Sequence, residues 1–393
     1  MAAVSKHLYN DLVEDMACHN LFHPWTESCV KSWPKVLADT TIGSTRFYTI
    51  IYLIQILMQG KKLKHKRTWR NLMEYFVRST LLGTAIPFSY IVFNCVFGKI
   101  GIKKSYFTTL LLPFTINGLF IYLEPPHRRS LVVNLFVNLL IEYCLKCLSR
   151  SGYIEMTKSK QTLMFMIGSA FLFYLMRLEG DKPKRTPLFW LYTAEKVKRK
   201  TDDSSKIVCP HKGICWKYIL KGSSTYFGIG LAISLAKLIL PKIRTPIKAL
   251  SSIRGKNFKL AMFFGSYIGI YRAVMCYLCN KTKRDDALYA LPAGYVAGLS
   301  MMFNPSTGLA IASLTAAFKL YSTILYEKKI LPDNVPLPEL MYCLCQGILF
   351  SSRLVDLGAC PSYILNLMDT VSHGHCEAVF QRVVAESKRL ASS

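Results

Sequence analysis

The stretch "LPAGYVAGLSMMFNPS" at residues 291–306 is apolar enough for lipid, yet it gives up side chain at Gly294 and Gly298 and carries a proline near each border. Its counterpart lies earlier, in "LPFTINGLFIYLEPP" at 112–126. Leu-Pro opens both, Gly-Leu recurs at Gly118 and Gly298, and Pro125 answers Pro305 after a one-residue gap. The preceding stretches agree as well: "LLGTAIPFSYIVFNCVFGK" (81–99) and "FFGSYIGIYRAVMCYLCNK" (263–281) share an early Gly, an aromatic middle and a Cys before a basic loop. Each copy also begins with a Cys/His segment, "CHNLFHPWTESC" (18–29) and "CPHKGIC" (209–215). The chain therefore reads as two copies of one unit, about 18–178 and 209–358, joined by a basic linker; internal repeats of this kind are common in polytopic membrane folds.

The surrounding composition agrees. Of 393 residues, 51% are hydrophobic and 12% aromatic, too oily for one or two soluble domains of this length. Windows of roughly 17 to 25 apolar residues can cross a hydrocarbon core of about 30 Å as helices, which pair their own backbone groups. Ten stretches qualify or nearly do: 43–59, 79–98, 107–123, 131–148, 161–176, 224–240, 258–279, 287–303, 308–326 and 338–358. The expected fold is all-α, a polytopic membrane helix bundle of two duplicated halves with about eight to ten segments. The corresponding division is a Cys/His-rich segment 1–45, a first membrane unit 46–178, a basic linker 179–223, a second membrane unit 224–358 and a C-terminal tail 359–393. Five crossings per copy would invert the second half, whereas the basic loops at 60–70 and 241–259 favour the same face, so one segment per copy is expected to be interfacial.

Net charge is +27, but the Lys and Arg cluster between apolar segments, at 60–70, 182–200 and 241–259. That pattern points to anionic headgroups at a bilayer surface rather than to nucleic acid. The polar, acidic start "MAAVSKHLYNDLVEDMACHN" resembles neither a cleavable signal peptide nor an Arg-rich presequence. Thirteen cysteines, an odd number scattered through loops and apolar segments, imply a reducing compartment on at least one face and mostly free thiols.

The glycines repeat four apart, Gly265 with Gly269 and Gly294 with Gly298, so each pair shares a helix face that lets another backbone approach. Charges inside apolar segments cost roughly 2.5 to 3.5 kcal/mol near a helix centre, which makes them informative. Arg272 and Lys319 sit mid-segment in the second copy, while Asn134, Asn138 and Glu142 form one stripe in the first. Arg353 and Asp356, three apart, could pair on one face. A polar cavity with Glu142 or Asp356 balancing Arg272 or Lys319 is one reading; snorkelling cations and structural pairs are the other. Weak metal candidates are Cys18, His19, His23 and Cys29, and Cys209, His211 and Cys215, neither set having the paired C-x-x-C spacing that marks zinc. The C-x-x-C pairs Cys144/Cys147 and Cys276/Cys279 lie in or beside apolar helices, where core packing is the better reading. There is no G-x-S-x-G, H-E-x-x-H, Walker or dinucleotide motif, so no enzyme and no cofactor are expected.

"GKNFKLAMFFGSYIGIYRAVMCYLC", "LYALPAGYVAGLSMMFNPST", "CPSYILNLM" and the N-terminal "FHPWTESCVKSW" together resemble the transmembrane protein 135 family. The second half is more distantly similar to the Tim17/Tim22/Tim23 and peroxisomal membrane protein superfamily, whose units have four membrane helices with Gly-rich packing faces. The resemblance implies a multi-pass protein of mitochondrial and peroxisomal membranes that influences mitochondrial fission, energy metabolism and lipid handling. Implied partners are the bilayer and its anionic lipids, with other organelle membrane proteins or a second copy. By this resemblance Arg272 stands where the family has Lys, and Lys319 matches a basic residue. A carrier or conducting unit for an anionic solute, lipid or peptide is the alternative.

Overall fold

A computed structural model describes residues 5–14, 16–59, 65–178, 209, 211, 213–239, 255–332 and 335–392. The basic stretches 182–200 and 241–254, and residues 60–64 of the first basic loop, lie outside these. The described residues are mostly helical, with no strand among them. In chain order the helices are α1 (Lys6–Glu14), α2 (Cys18–Phe22), α3 (Cys29–Gln59), α4 (Lys66–Lys99), α5 (Leu112–Asn117), α6 (Pro126–Arg150), α7 (Lys158–Leu178), α8 (Cys215–Ile239), α9 (Lys259–Thr282), α10 (Ala290–Ala297), α11 (Thr307–Glu327), α12 (Leu337–Val355), α13 (Ser362–Val371) and α14 (His375–Ser392).

Five of these, α4, α6, α7, α9 and α11, are long and apolar enough to cross a membrane. The chain is thus an all-α, polytopic membrane protein. The five are counted among the described residues alone, and segment 224–240 of the ten runs past the described end of α8 at Ile239. Segment 338–358 is α12, whose apolar residues, among them Tyr342, Cys345 and Leu349, are spent on a protein core. Segment 43–59 belongs to the 31-residue α3, in which Thr45 and Thr49 each satisfy a hydroxyl by a 2.7 Å hydrogen bond to the carbonyl four residues back.

Segments 107–123 and 287–303 are shorter and change geometry at the repeated glycines. At Gly118 and again at Gly298 an α-helix tightens into six residues of 3-10 helix, Gly118–Leu123 and Gly298–Phe303. A 3-10 run this long is unusual, and finding it twice at matched positions supports the repeat. In the first copy the switch turns the Gly118 N–H toward Thr115 and Ile116. The Phe114 carbonyl instead accepts from buried Gln346 Nε2 at 3.0 Å, because an orphaned carbonyl in an apolar interior must find another donor.

The chain forms two compact units, 1–150 with 335–393, and 151–334. The first has an aromatic core in which Tyr90 stacks on Phe114 at 4.2 Å and Phe114 meets Phe350 edge-on at 5.4 Å. The second is built around Phe165, Phe263 and Tyr267, with Tyr267 donating its hydroxyl hydrogen to Ser169 at 2.9 Å. These units divide the chain elsewhere than the sequence repeat does. α7, the last segment of the first copy, packs on α10 and α11, and α12, the last of the second copy, packs on α5 and α6. The close approaches are matched: a Cβ at Gly118 would lie 2.6 Å from Cys343 Cα, and one at Gly298 would lie 2.5 Å from Met166 Cα. Residues 359–393 are not a loose tail, because Ile364 and Val383 are buried in the first unit.

Candidate functional site

Two helical hairpins position the site residues. α3 runs antiparallel to α4, and α8 antiparallel to α9, so the first residue of one helix lies beside the last turns of the next. At the open end of the first hairpin, Cys18 begins α2, His23 caps its C-terminus, Cys29 begins α3, and Cys95 reaches in from α4. At the open end of the second, Cys209 and His211 precede α8, Cys215 begins it, and Cys276 reaches in from α9. In each quartet all four donor atoms lie within 4.8 Å of one another.

In the first quartet Cys18 Sγ is 3.6 Å from His23 Nε2 and 3.3 Å from Cys95 Sγ, and Cys95 Sγ is 3.5 Å from His23 Nε2. His23 is fully buried, and its Nδ1 donates to the Thr26 carbonyl at 2.8 Å. That bond fixes the tautomer and turns the Nε2 lone pair toward the sulfurs. Donation from Cys95 is the main influence on the Cys18 thiol; burial opposes it and His23 adds to it, and the result is a pKa lowered to about 6. A small pocket of about 10 Å³, lined by Cys18, Asn94 and Lys104 among others, lies beside the quartet.

In the second quartet Cys209 and Cys215 are 3.8 Å apart, and His211 Nε2 is 3.2 Å from Cys276 Sγ. Burial, with Cys215 close by, pushes the Cys209 thiol up to about 11. Asn280 Nδ2 donates to Cys215 Sγ at 3.6 Å. The His211 ring stacks on Tyr218 at 4.1 Å, and its Nδ1 has no hydrogen-bond partner among the described residues. Arg272 holds the other side of this arrangement. Its guanidinium carbon lies 4.1 Å from the Tyr218 ring centroid, in a slot that any side chain at Gly222 would fill.

The remaining sequence candidates are held locally. Glu142 pairs with Lys146 at 2.8 Å, and Asp356 pairs with Arg150 and accepts from Cys147. Arg353 does not pair with Asp356: it turns to Asp369 at 2.8 Å and to Glu377, because α13 and α14 bring two carboxylates to its buried guanidinium. Lys319 is half-buried on α11. Among the glycines, Gly265 and Gly269 admit α8, with Phe227 Cβ 3.0 Å and Ser223 Oγ 3.2 Å from where a Cβ would stand, and Gly294 admits the backbone of α7 at Ser169 and Ala170.

Three residues escaped the sequence reading. Cys95 and Cys276 each complete a quartet from a point 66 or 61 residues beyond the preceding donor. Cys276 is buried, as the packing reading of its C-x-x-C pair expects, and also faces its quartet, while Cys279 lies in the second core. Their signal was present as the Cys shared by 81–99 and 263–281. The third is Glu124, just past the first 3-10 run and 3% exposed, which accepts from Ser79 and faces Arg128 at 3.9 Å.

Fold and site together define a duplicated multi-pass membrane protein with a Cys-rich N-terminal region. Residues 15–148 match the family model described as the N-terminal cysteine-rich region of transmembrane protein 135. This match spans about a third of the chain and takes in all of Cys18, His23, Cys29 and Cys95. No solved structure matches the chain.

Proposed function

We propose that this chain is a member of the transmembrane protein 135 family, a non-enzymatic protein of mitochondrial and peroxisomal membranes that regulates mitochondrial fission and lipid and energy metabolism. The carrying observation is the match over residues 15–148, and five long apolar helices agree with a multi-pass protein. The likeness of 255–370 to that family extends the reading to the second unit, and Gly-rich packing faces suit a more distant kinship with the Tim17/Tim22/Tim23 superfamily. Anionic lipids are the proposed partners of the basic loops at 60–70, 182–200 and 241–259. A conducting role has less support. Glu142, Asp356 and Arg272 each have a partner close by, so the charges a carrier would expose to a solute are engaged in structure.

The test is removal of the protein from cells, followed by measurement of mitochondrial length and organelle lipid content, with rescue by wild type or by Arg272→Ala plus Lys319→Ala at matched expression. Elongated mitochondria and altered lipid, corrected by both forms, are expected. An unchanged null phenotype would sink the regulatory role; rescue by wild type alone would favour the conducting one.

A further inference from the structure

The second unit repeats not only the glycines of the first but also its cluster of soft donors, and that repetition is the strongest pointer to a ligand in the molecule. Each cluster holds three thiols and one imidazole. The spacings differ, C-x4-H-x5-C then Cys95 in one, C-x-H-x3-C then Cys276 in the other. Yet both sets converge to within 4.8 Å at the open end of an antiparallel hairpin. Loops of different length that reach the same donor set at matched places are built around what the donors hold.

We propose that each quartet, Cys18/His23/Cys29/Cys95 and Cys209/His211/Cys215/Cys276, binds one zinc ion. Tetrahedral zinc with Zn–S near 2.3 Å and Zn–N near 2.05 Å sets its sulfurs about 3.8 Å apart and sulfur about 3.6 Å from nitrogen. The separations of 3.6, 3.3 and 3.5 Å in the first quartet, and of 3.8 and 3.2 Å in the second, fit one small ion at the centre. Three thiolates and an imidazole are zinc's own donor types, too soft for calcium or magnesium. His23 has the expected outer partner in the Thr26 carbonyl, and Cys29 and Cys215 stand at helix N-termini, where the dipole favours thiolate. Four protein donors leave no open position, so both sites are structural. Each ion clasps the open end of its hairpin, tying α2 and α3 to α4 in one unit and the 209–215 segment to α9 in the other. On binding, each cysteine still protonated gives up its proton to solvent, and no electron is transferred.

The test uses the full chain, purified in detergent under reducing conditions with zinc, dialysed against metal-free buffer and assayed by elemental mass spectrometry. Two zinc ions per chain are expected. Cys95→Ser and Cys276→Ser each leave one, the double variant leaves none, and Cys144→Ser, an exposed cysteine outside both quartets, keeps two. His23→Ala loses one, while His23→Cys, which restores a fourth soft donor, keeps two. Because a lost ligand can unfold a hairpin, wild type reconstituted with cobalt(II) supplies a second readout: tetrahedral thiolate absorption that saturates at two equivalents. Fewer than two zinc in the wild type, another metal at that stoichiometry, quartet variants that keep both ions, or a Cys18–Cys95 disulfide in the purified chain would each overturn the proposal.

Discussion

The first quartet is prepared for its ligand and the second much less so. His23 is fully buried and tethered through Nδ1, and Cys95 is buried beside it. His211 is half-buried, its Nδ1 lacks such a tether among the described residues, and its ring is placed only by stacking on Tyr218. The same donors on two loops therefore separate what coordination needs, four converging atoms, from what the protein supplies beforehand. The pattern extends beyond the quartets. The two units share the α to 3-10 switch at Gly118 and Gly298 but fill the position after it differently, with buried Glu124 in one and Asn304 in the other.

The hardest blow to this parallel falls on the shared glycines. Gly118→Val and Gly298→Val should each abolish a monodisperse species in detergent chromatography, because the new Cβ would meet backbone 2.6 or 2.5 Å away, where nothing flexible can yield. A variant that stays folded would show that the helices can separate at that crossing. Next comes the unshared position. Glu124→Asn, which gives the first unit the residue of the second, should cost about 3 kcal/mol in thermal unfolding, since it strips Arg128 of its buried carboxylate. A cost near zero would mean that the carboxylate does not hold the turn.

Chelation should tell the quartets apart kinetically. In a competition with a zinc chelator, Cys95→Ser, which retains only the second site, should release its ion about tenfold faster than Cys276→Ser, equivalent to about 1.4 kcal/mol. Equal rates would remove the advantage assigned to the His23 tether. The smallest effects belong to glycines with room. Gly98→Ala meets nothing within 4 Å and should gain up to about 1 kcal/mol from helix propensity. Gly269→Ala, 3.2 Å from the Ser223 hydroxyl, should change unfolding by less than about 1 kcal/mol.

The helical class, the duplication and the small-residue stripes could be read from the sequence because each depends on local spacing. The quartets were only partly legible. Cys18, His23 and Cys29, like Cys209, His211 and Cys215, stand close enough in sequence to attract notice, but their fourth donors arrive only when α4 and α9 fold back. Pairing across units of sequence is equally silent. Nothing near Arg353 signals that Asp369 and Glu377 will reach it rather than Asp356, and nothing in "LPFTINGLF" says that Gln346 will take the Phe114 carbonyl. The 3-10 runs also alter the arithmetic of length. With nine 3-10 residues at about 2.0 Å and eight α residues at about 1.5 Å, Ala287–Phe303 extends about 30 Å, against about 26 Å as uniform α-helix. A segment that looks short by residue count then approaches the thickness of the hydrocarbon core.

The interrupted first unit also sets an order of birth. The second unit is continuous, 151–334, so a chain emerging from the ribosome can complete it while the first still waits for α12. Until then the Gly118 face and the Phe114 carbonyl have neither Cys343 nor Gln346 against them. The unit whose synthesis starts first is thus the last to close. That interval is when the membrane-insertion machinery would have to shelter its half-built core.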